Sequence, residues 1–367
     1  MMAKMKSKLF KDLYNQKYIN NLTNLLKNSY TSFEDKKFVS TIFDDSWKEK
    51  ELKQRMRHIT ITMQNFLPSD YKKSITILKP VFTELGNNLT LEKMIFQDFV
   101  EVFGLDDFQT SMNALEHFTI ESSSEFAIRQ FIVKYPKETM KQMQKWAYSN
   151  NHHVRRLASE GSRPKLPWAI ALREFKKEPA QVLEILEILK DDESEYVRKS
   201  VANNLNDISK DNPEIVKKIA KKWIGENNNR DKIIKHGCRT LLKAADKEVL
   251  ALFGFTKTSN INIKNVNIPK NVKMNENLEF SFSLNSKENL GTLRIEYAIS
   301  FLRKNSNHSF KVFKISEGDF SQKNKHISKK YSFKPITTRK YYTGTHYISI
   351  IVNGDIFYKQ EFILESF

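Results

Sequence analysis

Residues 152–159 read HHVRRLAS, and residues 195–202 read EYVRKSVA, so that a Val-Arg pair recurs 43 positions apart, at 154 and 197. Each copy follows a polar turn, SNNH before the first and DDES before the second. A fainter third copy, DKIIKHGCRTLL at 231–242, follows NNNR, with Ile233 in the valine position. A repeat near ~40 residues with a Val-Arg-x-x-Ala-type second helix is what HEAT-like helix pairs present. One such pair cannot bury its apolar face alone, so neighbours stack into a solenoid with a concave inner side.

The chain before this repeat fits the same reading. Leu22, Leu25 and Leu26 have helical spacing, with a break at Asn28–Ser32. Phe43 and Trp47 lie near the next boundary. Ile59, Met63, Phe66 and Leu67 stop at Pro68, and Phe96, Phe99, Val100 and Phe103 stop at Gly104. The connectors NSYTS, LPSD and GNNLT are short and polar, as antiparallel helical neighbours require. After Phe255 the period changes to two. Leu278, Phe280, Phe282 and Leu284 alternate with Glu279, Ser281 and Ser283, and similar runs follow at Leu293–Phe301, Phe310–Val312 and Tyr347–Val352. Asn353-Gly354 between two apolar runs is a hairpin turn. Six or seven short strands describe an immunoglobulin-like sandwich without the Cys…Trp…Cys pattern. The predicted fold is therefore mainly α: a HEAT-like solenoid over 1–257, then a small all-β immunoglobulin-like sandwich over 258–367.

Composition narrows the function. The 367 residues carry 61 Lys+Arg against 43 Asp+Glu, a net charge of +18, which favours a polyanionic partner. Lysine, asparagine and isoleucine are abundant in the way of AT-rich genomes, so the clustered arginines are the more informative charges. Residues 258–367 hold 17 Lys+Arg against 9 Asp+Glu, with clusters at Lys323–Lys330 and Arg339–Lys340. No apolar run reaches the ~20 residues of a membrane span. The start, MMAKMKSKLF, leads into an amphipathic segment, Leu9–Leu26, and has no cleavable apolar core. The single cysteine, Cys238, fits a reducing cytoplasm and forms no zinc site. No phosphate loop, G-x-S-x-G or H-E-x-x-H occurs. His152 and His153 read as turn residues without ligand spacing, so neither a metal nor a cofactor is expected.

The chemistry concentrates in HVRRLASEGSRPKLPW, residues 153–168. On a helix, Arg156, Glu160 and Arg163 share one face, and Val154, Leu157, Ala158 and Gly161 take the core side. In a DNA groove Arg155, Arg156, Arg163 and Lys165 would neutralise phosphates, joined by Arg198 of the second copy. Glu160 is out of place there unless a positive charge forms beside it. N-glycosidic cleavage forms one, an oxocarbenium-like sugar that a fixed carboxylate stabilises. A cationic alkylated base needs no protonation to leave. The plainer alternative is an intrahelical ion pair of Glu160 with Arg156 or Arg163, worth ~0.3–0.5 kcal/mol. Ser122…Glu125 has capping-box spacing, with a functional reading at the groove mouth as its alternative. Trp168 after Pro167 fits the first turn of a new helix, either in the core or against a deoxyribose.

This motif closely resembles the signature of the AlkC-type DNA alkylation repair glycosylases, relatives of AlkD. SSSEFAIRQF at 122–131 resembles that family's second motif, although Gln130 stands where the family has a proline. The likeness spans nearly the whole chain, the sandwich included. It implies a monofunctional glycosylase that removes 3-methyladenine and 3-methylcytosine from duplex DNA by C1′–N hydrolysis, without base flipping. It implies Glu125 and Glu160 as functional acids open on the inner curve, Trp168 as the sugar-side aromatic, and Arg156 and Arg163 as backbone contacts. The sandwich would help encircle the duplex. The partner is then double-stranded DNA with alkylated bases, bound by a cytoplasmic, nucleoid-associated monomer with no membrane contact. A non-catalytic DNA-binding scaffold and a protein–protein adaptor are the competing functions. The Arg-Glu-Arg face argues against the adaptor.

Overall fold

The computed structural model describes residues 9–86, 90–336 and 339–366. The basic start at 1–8 and the middle of the GNNLT connector, 87–89, lie outside the described residues. Sixteen α-helices precede eight strands among those described. The first are α1 (Gln16–Ser29), α2 (Asp35–Ile42), α3 (Leu52–Phe66), α4 (Tyr71–Glu84), α5 (Met94–Phe103) and α6 (Phe108–Thr119). Then come α7 (Ile128–Lys134), α8 (Pro136–Trp146), α9 (His152–Gly161), α10 (Arg173–Lys177), α11 (Ala180–Leu189) and α12 (Glu195–Ile208). The last four are α13 (Pro213–Trp223), α14 (Asn228–Gly237), α15 (Arg239–Lys243) and α16 (Lys247–Leu252).

The helices end where the local chemistry ends them. α3 stops one residue before Leu67-Pro68, because the proline ring disfavours a helical residue ahead of it. α5 stops at Gly104. The repeated helices α9, α12 and α14 lie side by side, and Val154, Val197 and Ile233 all point into the core.

The arginine of the repeat has a structural reason. Arg155 Nη1 donates to the carbonyls of Ser149 and Asn150, six and five residues back, at 3.0 Å each. Arg198 Nη1 donates to Asp192 and Glu193 at the same offsets, at 2.6 and 2.8 Å. Each Val-Arg pair thus buries its valine and turns its arginine back onto the polar turn that precedes the helix. The guanidinium satisfies carbonyls that the turn leaves without a helical partner.

The contacts divide the chain into two compact units. One takes the chain up to Asn212 with Gly225–Gly237, and the other takes Pro213–Ile224 with everything from Cys238. The change from helix to strand falls between Leu252 and Ile261, but the compact units do not divide there. α13, α15 and α16 group with the strands.

In that second unit the strands are β1 (Ile261–Asn267), β2 (Asn271–Lys273), β3 (Asn277–Ser286), β4 (Gly291–Leu302), β5 (His308–Phe320), β6 (Asn324–Ser332), β7 (Gly344–Val352) and β8 (Asp355–Glu365). They form sheets ordered β1-β3-β6 and β2-β8-β7-β4-β5, antiparallel except for β2 with β8. Inward Leu278, Phe280, Phe282 and Leu284 alternate along β3 as the period-two pattern predicts. Asn353 and Gly354 turn the β7–β8 hairpin with φ of 48° and 81°. β4 departs from alternation because both its faces are covered. Arg294 and Glu296 are buried opposite the apolar core and pair at 2.6 Å. α16 packs at the hairpin, where a Cβ on Gly354 would come within 2.6 Å of Leu250.

In the first unit, Gly161 closes α9 where a Cβ would stand 2.7 Å from Ile128 Cγ2 and 3.0 Å from Met143 Cε. In an open helix Gly→Ala gains about 1 kcal/mol. Here the methyl would overpack the α7–α9 contact, and Gly161→Ala is expected to destabilise the protein by about 1–3 kcal/mol, read from the urea midpoint.

Candidate active site

α9 presents its polar side as the spacing predicts. Val154, Leu157, Ala158 and Gly161 are buried toward the core, while Arg156 and Glu160 face the turn before α7. The helix ends at Gly161, and Ser162 caps it by donating Oγ to the Ala158 carbonyl at 2.8 Å. Arg163 therefore lies past the helix, yet its Nη1 reaches back to Glu160 Oε1 at 2.6 Å.

The two acids meet through one guanidinium. Arg156 Nη1 donates to Glu125 Oε2 and, at 2.8 Å, to Ser123 Oγ. Its Nη2 lies 3.5 Å from Glu160 Oε1, and the group stacks 4.9 Å over the Tyr196 ring. Burial pulls the Arg156 guanidinium down, but Glu125 and Glu160 more than offset it and hold its pKa above the ordinary arginine value. Glu160 Oε2 accepts from Ser200 Oγ at 2.7 Å, so both its oxygens have donors. Behind it Asp207 receives Arg163 Nε at 2.8 Å and Nη2 at 2.7 Å. The ion pairs of Glu160 foreseen as the plain alternative are thus present, that with Arg156 within the helix and that with Arg163 from just past its end, as two edges of a larger network.

Glu125 is not the partner in a capping box. Ser122 Oγ donates to the Thr90 carbonyl at 2.7 Å and Ser124 Oγ to the Leu115 carbonyl at 2.8 Å, while Ser123 Oγ bonds the Glu125 carboxylate. The serine run pins the turn and leaves the carboxylate to Arg156.

Both acids line a cavity of about 340 Å³. Tyr14, Met56, Leu91 and Met94 form its apolar wall, and Phe126, Pro167 and Trp168 complete it. The expectation that both carboxylates lie open needs correction for Glu160, which is 5 % exposed on the cavity lining. Trp168 does not begin a helix. It sits in the loop between α9 and α10 with φ of 65°, its indole 66 % exposed.

The other expected cations are placed differently. Arg155 is buried, with Nε and Nη2 on Asp192 at 2.6 and 3.0 Å and Nη1 on the turn carbonyls, so its donors are engaged within the protein. Arg163 is buried between Glu160 and Asp207. Both act as struts rather than as free phosphate donors. Lys165 pairs with Asp211 at 2.7 Å and remains partly exposed. Arg198 bonds its turn with Nη1 and also lines a cleft with Lys199, Lys232 and His236. His152 and His153 form the first turn of α9, with Asn151 Oδ1 accepting the His153 N–H at 2.8 Å. No group of three or more His, Cys, Asp or Glu among the described residues could hold a metal ion.

Local spacing had no means of finding several participants. Asp207 and Ser200 come from α12, about one repeat downstream. Arg129, fully buried on α7, donates to the carbonyls of Gly161, Arg163 and Ile170 and so fixes the loop that carries Trp168. Burial and the nearby Arg163 lower its pKa to about 10. Its place in SSSEFAIRQF, four residues after Glu125, was the available signal.

The comparisons with known proteins meet on this region. The family model described as "DNA alkylation repair enzyme" matches residues 112–241, which hold both acids, Arg156, Trp168 and Asp207. The alkylpurine DNA glycosylase AlkC of Pseudomonas fluorescens, solved bound to DNA containing an abasic site analogue, is 34 % identical, with a TM-score of 0.92 over 98 % of this chain and 100 % of its own. The chain belongs to the AlkC family of DNA alkylation repair glycosylases. The chain is also similar to the protein YhaZ of Bacillus subtilis (strain 168), at 42 % identity over 94 % of this chain and 96 % of YhaZ. Residues 262–366 match the family model for the C-terminal Ig-like domain of YhaZ.

The reassignment of Arg155 has a direct test. Arg155→Ala takes the guanidinium from the buried Asp192 carboxylate, which keeps the Ser194 N–H as a donor, and from two turn carbonyls, and should lower stability by about 3 kcal/mol in urea titration. The slope of log K for DNA against log salt should stay unchanged, whereas loss of a phosphate contact reduces it by about 1.

Proposed function

We propose that this glycosylase hydrolyses the C1′–N bond of cationic N-alkylated bases in duplex DNA, 3-methyladenine and 3-methylcytosine among them. The observation that carries this reading is a pair of carboxylates, Glu125 and Glu160, joined by one guanidinium on the lining of a cavity that an exposed tryptophan borders. As the bond breaks, its electron pair passes to the base nitrogen and cancels the base's positive charge. The sugar is left as an oxocarbenium-like cation, which the two carboxylates stabilise electrostatically. Water then adds at C1′, its proton passing to a carboxylate or to solvent, and an abasic site remains.

The chemistry of the substrate limits what the site must supply. No general acid is required, because the base leaves already charged. For the same reason the base needs no enclosing pocket to protonate it, and in this reading it stays within the duplex. Trp168 is suited to contact the deoxyribose from the cavity rim. Arg198 with Lys199 and Lys232, and the half-exposed Lys165, are suited to the phosphates. The basic sandwich would add further backbone contacts, and one copy of the chain suffices for all of them.

Incubation with dimethyl-sulfate-treated duplex, followed by chromatography of the released bases, tests the activity and reports its range. Glu160→Gln and Glu125→Gln should each slow release by about 10²–10³-fold while binding abasic-analogue DNA within a few fold of the parent at fixed salt. Unchanged release by both variants would remove the acids from the mechanism. DNA binding without any base release by the parent protein would favour the scaffold.

A further inference from the structure

Trp168 presents its indole from a backbone that a bulky residue adopts only when its surroundings impose it, at φ 65°. The imposing contacts can be followed one by one. The loop closes on itself where the Leu172 N–H donates to the Pro164 carbonyl at 3.1 Å and the Ala169 N–H to the Leu166 carbonyl at 3.3 Å. Arg129 pins its flanks at Gly161, Arg163 and Ile170. None of these bonds reaches the Trp168 peptide itself. The bond to the Trp168 carbonyl comes from Lys53 Nζ, 115 residues away in the chain.

Lys53 is well placed to act as a fixed post. It lies in the first turn of α3, where Glu51 and Gln54 make a reciprocal capping box and Lys11 ties down Glu51 at 2.7 Å. Its ammonium also stands 4.5 Å over the ring of Phe126, the residue after Glu125. One side chain therefore touches both segments that border the cavity, the turn bearing Glu125 and the loop bearing Trp168. α3 lies outside residues 112–241, the part that the repair-enzyme model matches.

We infer that Lys53 is a positioning residue for base excision: it holds Trp168 at the rim and the Glu125 turn beneath it in one geometry. The inference rests on the function proposed above. The ammonium takes no part in bond breaking. Its effect passes through the indole, and a displacement of about 1 Å in a positioning group can cost as much as 10²-fold in rate.

The four tryptophans make the indole observable separately from activity. Trp47, Trp146 and Trp223 are 7 %, 2 % and 1 % exposed, against 66 % for Trp168. Fluorotryptophan incorporated into the full chain should give a fluorine resonance for each, and Trp168→Phe identifies the one at the rim. Lys53→Met is expected to shift or broaden the Trp168 resonance and leave the other three in place. It should lower the single-turnover rate of base release by about 10–100-fold with abasic-analogue DNA affinity within a few fold. Lys53→Arg, which can donate to the same carbonyl and cover the same ring, should restore both. An unchanged Trp168 resonance in Lys53→Met overturns the inference, whether or not release slows. A shifted resonance with unaltered release also overturns it. If the parent releases no base at all, the function proposed above fails on its own account and the Trp168 resonance alone decides whether Lys53 holds the loop.

Discussion

One guanidinium organises the site. Two carboxylates facing the same cavity repel each other, and in a partly buried setting that repulsion is costly. Arg156 offsets it by sharing its two nitrogens, Nη1 for Glu125 and Nη2 for Glu160. Much of the surrounding packing serves to keep that arginine between them. Tyr196 supports its flat face, and Ser123 supplies an acceptor on the Glu125 side. α12 locks the helix that carries it, through Ser200 on Glu160 and Asn204 on the Ser159 carbonyl at 2.8 Å. The HEAT-like stacking of α9 on α12 is thus also the means by which the acids are oriented.

The parts of the fold that local chemistry dictates were readable in the chain. Pro68 and Gly104 end helices, the β3 alternation buries Leu278 through Leu284, and Asn353-Gly354 turns a hairpin. The shared face of Arg156 and Glu160 was readable for the same reason, since helical periodicity alone brings them together. What escaped was set by distance along the chain. Arg155 and Arg163 looked like free cations because Asp192 and Asp207 lie 37 and 44 residues further on. The carbonyls that Arg155 and Arg198 satisfy belong to turn backbone, which any residue can supply. Ser122…Glu125 has the letters of a capping box, yet Thr90 and Leu115 from other segments claim the serines. Trp168 after a proline suggested a new helix, and contacts from α7 and α3 hold it out of one.

The Val-Arg repeat is the clearest case of a true signal with a different cause. It marks helix pairs correctly, because the valine fills the core and the arginine closes the preceding turn in both copies. Its arginines are strutting residues first, and only Arg198 also faces a basic cleft. A cationic repeat in a DNA-repair fold invites a phosphate reading. The equal offsets of the two Nη1 bonds, six and five residues back, show that the recurrence follows from the turn.

The charge arrangement also explains how an acidic centre can sit in a protein that attracts DNA. Around the cavity Glu125, Glu160 and Asp207 are matched by Arg156, Arg163, Lys53 and the more distant Arg129, so a phosphate approaching from outside meets no net negative field from this cluster. Close in, the order of the charges matters. Glu125 and Glu160 line the cavity, and Arg156 bridges their carboxylates. A cation forming beside these carboxylates would be attracted to them, the more strongly the closer it lies. Arg163 and Lys53 also reach the lining, but Arg163 Nε and Nη2 are turned to Asp207 and the Lys53 ammonium is held by the Trp168 carbonyl and the Phe126 ring. In the proposed reaction the sugar would become positive against the two carboxylates that line the cavity, while the cluster as a whole presents no net negative charge to a duplex.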